Sequence, residues 1–384
     1  MSFRNYTTGI PGWKVVSVVL FLLMTGSVQA QQDSSGGVHI GFIYPLSTHG
    51  NQAGKYTNSF SLHVLGGLSR NETGFTFSGL GTVILGNAQG VQIAGLLNNV
   101  YGHTSGAQLA GLYNYANQNS GMQLAGLFNS TKRSTGTQLA GFANFSRGDS
   151  SKQGNLQLSG FLNLHQDVNV QIAGFINSGE NANFQLSGFL NKSKDVNVQV
   201  GGFLNIAKKV RGAQVGVINI ADSNSNPIGL INIVKGGEMA VRLSVDELGT
   251  PILSFKSGGK NLYGAIGIGV NSKTKNTMYA LEGVIGIHFD VSEYFRMHVE
   301  LATTALNDFR KGDFQRNSIR LFPAFRVGNQ LEIFAGPSVN FVSYDIASGK
   351  GDALVDHLFW SRQKRDRMHG MYIGATGGIS WRLK

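Results

Sequence analysis

The chain has 384 residues, of which 53 are glycine, 6 are proline and none is cysteine; 14% are charged and the formal net charge is +11. Without cysteine there is no disulfide framework and no lipid-attachment thiol, and a Gly-rich, Pro-poor, weakly charged composition fits extended β structure better than a helical enzyme. The basic residues are scattered except in one late loop, so they read as surface charge and exclude a nucleic-acid footprint.

Residues 1–30 have the organisation of a secretory signal peptide. Arg4 and Lys14 flank the start, an apolar run covers 15–24, and Val28-Gln29-Ala30 is a small-residue cleavage site. The mature chain is expected to start at Gln31, and no later run supplies the ~20 apolar residues of a spanning helix. Over 31–90, strands are expected at 38–46 and 59–68, followed by an Asn71-Glu72-Thr73-Gly74 turn. Phe77-Ser78-Gly79-Leu80 is a worn first copy of the phrase that comes next.

Residues 91–234 repeat Gln-[Leu/Ile]-[Ala/Ser]-Gly-[Leu/Phe]-x-Asn. Its defining positions include Gln92, Gly95 and Asn98; Gln171, Gly174 and Asn177; Gln185, Gly188 and Asn191; and Gln199, Gly202 and Asn205. The central glycines lie 13 to 19 residues apart, mostly 14 or 15, which allows one strand or one thin coil per copy. The copies alternate with period two. Val168, Val170, Ile172, Gly174 and Ile176 share one face, and Asn169, Gln171, Ala173, Phe175 and Asn177 share the other.

Two architectures use such a unit. A β-solenoid coil must travel out and back within one copy, and its return side needs inward apolar residues that the polar runs 130–137 and 192–195 do not supply. An antiparallel meander alternates strands of ~8 to 10 residues with turns of about four, the strand length of a tilted membrane strand. A hairpin would set Phe175 against Ser187 and Asn177 against Gln185, large on small and amide on amide. Against it, the spacing between copies does not alternate long and short as the loops of outer-membrane barrels do. The expectation is an all-β chain, an up-and-down meander closed as one large outer-membrane β-barrel of about 20–22 strands. The alternative is a β-solenoid repeat domain followed by a smaller β-barrel.

Over 235–384 the repeat is lost but alternation persists. Leu262, Gly264, Ile266, Ile268 and Val270 share a face; Tyr279, Leu281, Gly283, Ile285, Ile287 and Phe289 share the next. Phe295, Met297, Val299 and Leu301 oppose Arg296, His298 and Glu300, and Ile319, Leu321 and Phe325 oppose Arg320 and Arg326. Strands with one apolar and one charged face are the transmembrane β pattern, and Arg296, His298, Glu300, Arg320, Arg326 and Glu332 are the candidate lumen-facing groups.

The repeat array, followed by Pro227-Ile228-Gly229-Leu230-Ile231-Asn232 and Leu253-Ser254-Phe255-Lys256-Ser257-Gly258-Gly259, resembles the bacterial surface-repeat proteins of Gram-negative outer membranes. The stretch from Asn58-Ser59-Phe60-Ser61-Leu62 through Gly66-Gly67 looks like the same family's opening, and the likeness covers about 38–270. The resemblance implies a cell-envelope location and no particular activity. The C-terminal part resembles outer-membrane β-barrels by alternation, departing from them in ending on Lys384 where an aromatic is frequent.

Other motifs carry little chemistry. Gly264, Gly267 and Gly269 lack the following helix of a dinucleotide loop, and the nine histidines show no metal-ligand spacing. Arg296, His298 and Glu300 on one strand face read as an ion-pair network in a barrel interior. The stretch 343–370 places Leu354, Val355, Leu358, Phe359 and Trp360 before Arg362, Lys364, Arg365 and Arg367, the order of a lumen plug or of an amphipathic surface helix against acidic headgroups. The function expected is a passive pore or an envelope structural protein in contact with outer-membrane lipid and lipopolysaccharide. The alternative is a binding module whose Gln and Asn face recognises a glycan or a protein. No enzyme activity, cofactor, metal or nucleic acid is expected, and nothing in the sequence sets the oligomeric state.

Overall fold

The computed structural model describes residues 34–147, 154–274, 276–310 and 313–383; the expected signal peptide lies outside them. A β-solenoid of parallel strands over 34–234 is followed by a closed antiparallel barrel of eight strands over 238–382. The chain is therefore all-β in the solenoid-then-barrel arrangement, and the single meander of about 20–22 strands is corrected. Among the described residues no helix is long and apolar enough to cross a membrane.

Each repeat is one coil of two short strands. Met122–Ala125 carries the Gln-Leu-Ala part, the chain turns at Gly126 and Leu127, and Phe128–Ser134 returns. Successive coils stack parallel and in register, Gln123 on Gln138 and Asn129 on Asn144. The hairpin pairing of Phe175 with Ser187 is thus replaced by like on like, Gln171 on Gln185 and Asn177 on Asn191. The objection that the return side lacks apolar residues fails because much of the coil interior is polar, with only small apolar clusters such as Val168, Ala182 and Val196. Gln123, Asn129, Thr131 and Ser134 are buried, whereas Leu124 and Leu127 are exposed. The glycine at the turn is dictated by crowding. A Cβ on Gly174 would lie 2.1 Å from the carbonyl oxygen of Gly160, and one on Gly202 2.1 Å from that of Gly188.

The barrel strands are Glu238–Asp246, Pro251–Gly258, Leu262–Asn271, Met278–Asp290, Phe295–Asn307, Phe314–Val327, Leu331–Asp345 and Arg367–Arg382. The last returns to the first, Ile379 pairing with Leu243, and so closes the wall. Here the expected alternation of faces is present: Leu281, Leu301, Ile319, Phe325 and Ile373 point outward and exposed, while Arg242, Glu282, Glu300 and Arg316 are buried inside. Connections at 259–261, 291–294 and 328–330 lie at one end; at the other lie 247–250 and the longer links from Asn271 to Met278, Asn307 to Phe314 and Asp345 to Arg367.

The late loop forms no extended amphipathic helix. It holds a five-residue helix, Lys350–Leu354, and a strand, Trp360–Lys364, that pairs with Arg367–Arg382. Leu354 and Val355 are buried against Leu248, Met278, Phe314, Tyr344 and Tyr372, so the segment lids the barrel at its long-loop end.

The last coil of the solenoid packs on the outside of the barrel wall. The Asn232 backbone N–H donates to Ser257 Oγ at 2.9 Å. Glycines make the seat: a Cβ on Gly264 would meet the Gly229 carbonyl oxygen at 1.9 Å, and one on Gly283 would meet Leu230 Cδ2 at 3.3 Å.

Candidate functional site

The barrel interior gathers all six candidate lumen groups. Arg296, His298 and Glu300 alternate along Phe295–Asn307, so one strand face delivers all three inward. Glu300 accepts from Arg242 Nη1 at 2.6 Å and from the Tyr263 hydroxyl at 2.7 Å, and Arg320 Nη1 lies 3.9 Å from its other oxygen. Arg320 donates to Glu282 at 2.5 Å. His298 Nε2 lies 3.0 Å from Glu332, and its Nδ1 is 3.0 Å from the Tyr263 hydroxyl. Arg296 donates to Asp290 at 2.6 Å and to both Glu238 oxygens at 2.9 and 3.0 Å. Arg326, at the edge of the network, donates to Asp290 at 2.5 Å.

Further members escaped the sequence reading: Glu238, Arg242, Lys256, Tyr263, Glu282 and, under the lid, Arg316 with Asp246 and Glu247. The signal was present, since Arg242 stands between Val241 and Leu243 and Glu282 between Leu281 and Gly283. Each sits on the polar side of an alternating strand. Nearly every charge is desolvated and paired, and such a network is costly to break at one partner. It fills the interior: Arg316, Lys256, Tyr263 and Phe322 are each at most 2% exposed.

The solenoid interior is the second polar site. Asn98, Asn114, Asn129, Asn144, Asn163 and Asn177 each pass an amide N–H to the Asn of the next coil at 2.9–3.0 Å. The same Asn also bonds a carbonyl on the facing strand, as Asn177 does with Leu186 at 2.7 Å. A parallel Gln ladder runs beside it, with Gln171 donating to Gln157 at 3.0 Å and Gln185 to Gln171 at 2.7 Å. Gln92, Asn98, Gln171, Asn177, Gln185, Asn191, Gln199 and Asn205 are all 0% exposed. The expectation of a Gln and Asn recognition face is corrected accordingly: these amides are buried inside the coil, and from the second copy on they bond one another along the ladders.

At the solenoid's N-terminal end the ladder gives way to His39, His63 and Glu72. His63 Nε2 is 3.2 Å from His39 Nδ1, and Glu72 accepts from Ser61 at 2.8 Å and Asn58 at 3.2 Å. Burial, reinforced by the neighbouring His63 and His49, pushes His39 down to about 4; burial and His49 push His63 to about 4. Burial also raises the Glu72 carboxyl above its ordinary range, against the hydrogen bonds it accepts. Among the described residues no three His, Cys, Asp or Glu side chains converge as a metal site.

Comparison with protein-family models, with curated proteins and with solved structures found no match.

Proposed function

We propose that the chain is an outer-membrane β-barrel protein of the surface-repeat kind, exported by the signal peptide at 1–30 into the outer membrane of a Gram-negative bacterium, where it acts as an envelope structural protein. The observation that carries this reading is the barrel's inverted polarity. Strands such as Met278–Asp290 and Arg367–Arg382, 13 and 16 residues long, turn apolar side chains outward and charges inward. Water does not reward that arrangement, whereas hydrocarbon does. Three of the four connections at one end are longer than any at the other, which supports the same placement, with the short-turn end toward the periplasm.

A structural role is favoured over conduction because eight strands enclose room for side chains and little more. The ion pairs occupy it, and Leu354 and Val355 cover one mouth. The partners are then outer-membrane lipid and, near the exposed Arg362, Lys364 and Arg365 of the long-loop end, lipopolysaccharide. The test is membrane association of the full chain. Reconstituted protein should stay with the bilayer through an alkaline carbonate wash and change its gel mobility only after heating. Release by the wash, with one mobility heated or unheated, would refute the reading.

A further inference from the structure

The solenoid is inverted in the same sense as the barrel, and the two inversions meet. At the turn of each coil a bulky apolar residue points outward: Leu112, Leu127, Phe142, Phe161, Phe175 and Phe189 are 38–44% exposed. From Phe142 to Phe203 the rings stack with centroids 4.9–5.2 Å apart. Between Leu80 and Leu230 this ridge runs on the order of 50 Å at ~4.8 Å per coil. Isolated exposed apolar residues need no explanation, but a continuous strip of this length does.

The last coil indicates what covers it. Leu230, the final residue of the ridge, abuts Gly283 on the barrel's outer wall, and Gly229 abuts Gly264. The opposite, polar end of the same coil, at Asn224 and Ser225, lies against Gly259 in a short turn of the barrel. The apolar-to-polar direction of the coil therefore runs along the barrel, from its apolar wall toward its short-turn end. Parallel stacking carries that orientation outward from coil to coil. Three to five residues from the ridge the outer surface carries exposed lysines, Lys132, Lys192, Lys194, Lys208 and Lys235, of which Lys194 pairs with Glu180 at 2.7 Å. At ~3.3 Å per residue that is roughly 10–16 Å, about one leaflet of hydrocarbon. Lysines at that depth lay their stems along apolar surface and hold the ammonium at phosphate.

We propose that the ridge is buried in the acyl chains of the leaflet at the barrel's short-turn end, with the lysine rim on phospholipid phosphates, so that the array stands as a wall within one leaflet. This rests on the reading of the barrel as membrane-spanning.

Because the chain has no cysteine, single-cysteine variants report one site each. Bimane would be attached to full-length protein in phospholipid vesicles at Phe175→Cys or Phe203→Cys on the ridge, Leu301→Cys on the barrel wall, and Lys194→Cys on the rim. Side chains at these positions point outward, and heat-dependent mobility with far-UV circular dichroism checks folding of each. Acyl-brominated phospholipid should quench the ridge and wall labels by about twofold and leave the rim label bright. Quenching at Leu301→Cys alone overturns the proposal and leaves the barrel reading standing, whereas quenching nowhere overturns both. An unquenched ridge label together with disulfide-linked dimers of unlabelled Phe175→Cys assigns the ridge to a second copy and also overturns it.

Discussion

Asn177 and its equivalents hold the two sides of each coil together. Asn177 gives its amide hydrogens to Asn191 and to the Leu186 carbonyl and accepts from Asn163, with no water available to substitute. Asn177→Ala leaves those partners unsatisfied and is expected to cost about 1–3 kcal/mol, read as faster amide hydrogen exchange in the flanking coils. Gly174→Ala is expected to cost about as much for a steric reason, since the new Cβ lies 2.1 Å from a carbonyl oxygen and the backbone must move. The histidines at the N-terminal end predict a pH response. His39 and His63 titrate at about 4 when folded and near 6.5 when unfolded, so between those values the unfolded chain binds more protons and the folded end loses stability as pH falls from about 6.5 to about 4. Glu72, raised in the folded chain, opposes this by favouring the folded form as pH falls. His165 is likewise pushed down to about 4 by burial and His49 is lowered, so with these imidazoles against one carboxyl the thermal midpoint of the solenoid should be lower at pH 5 than at pH 7. His63→Asn should shrink that difference; an unchanged difference would contradict the assignment.

At the scale of the elements, the coil was legible only as the alternative architecture, and the buried face was legible in the barrel and not in the coil, for one physical reason. A strand with a single buried face writes its period of two into the sequence, and Phe295–Asn307 does so over its whole length, so Arg296, His298 and Glu300 could be placed inward from the sequence alone. What alternation leaves open is which face is buried. In the array the apolar face, Val168, Val170, Ile172 and Ile176, was the natural choice for the inside, yet only Val168 of these is buried and the interior beyond it belongs to Gln171, Ala173 and Asn177. Once the interior is polar, runs such as 130–137 become acceptable return strands. The unequal spacing of the copies, 16 residues between Gly95 and Gly111 against 14 between Gly174 and Gly188, then becomes a matter of loop length at one end of a coil. The partners of Glu300 were beyond the sequence because they come from strands 37 to 58 positions away. Removing it as Glu300→Ala strands Arg242 in the barrel interior and is expected to cost about 3–5 kcal/mol, seen as a lower temperature for the heat-dependent shift in gel mobility.

For the whole molecule, both bodies share one plan: paired polar groups line much of the interior beside small apolar clusters, and the large apolar side chains of the outer face are exposed. The barrel does this with ion pairs and the solenoid with amide ladders, and the glycine seat at Gly264 and Gly283 joins them along the outer wall. A filled interior, a lid over the long-loop end and a solenoid seated on the wall support the proposal of an envelope structural element over that of a pore. Conductance across a planar bilayer tests this most directly. Full-length protein shown to be inserted by its heat-dependent mobility should leave the bilayer at its baseline conductance across a range of applied voltages. Discrete, reproducible conductance steps from the same preparation would contradict the account.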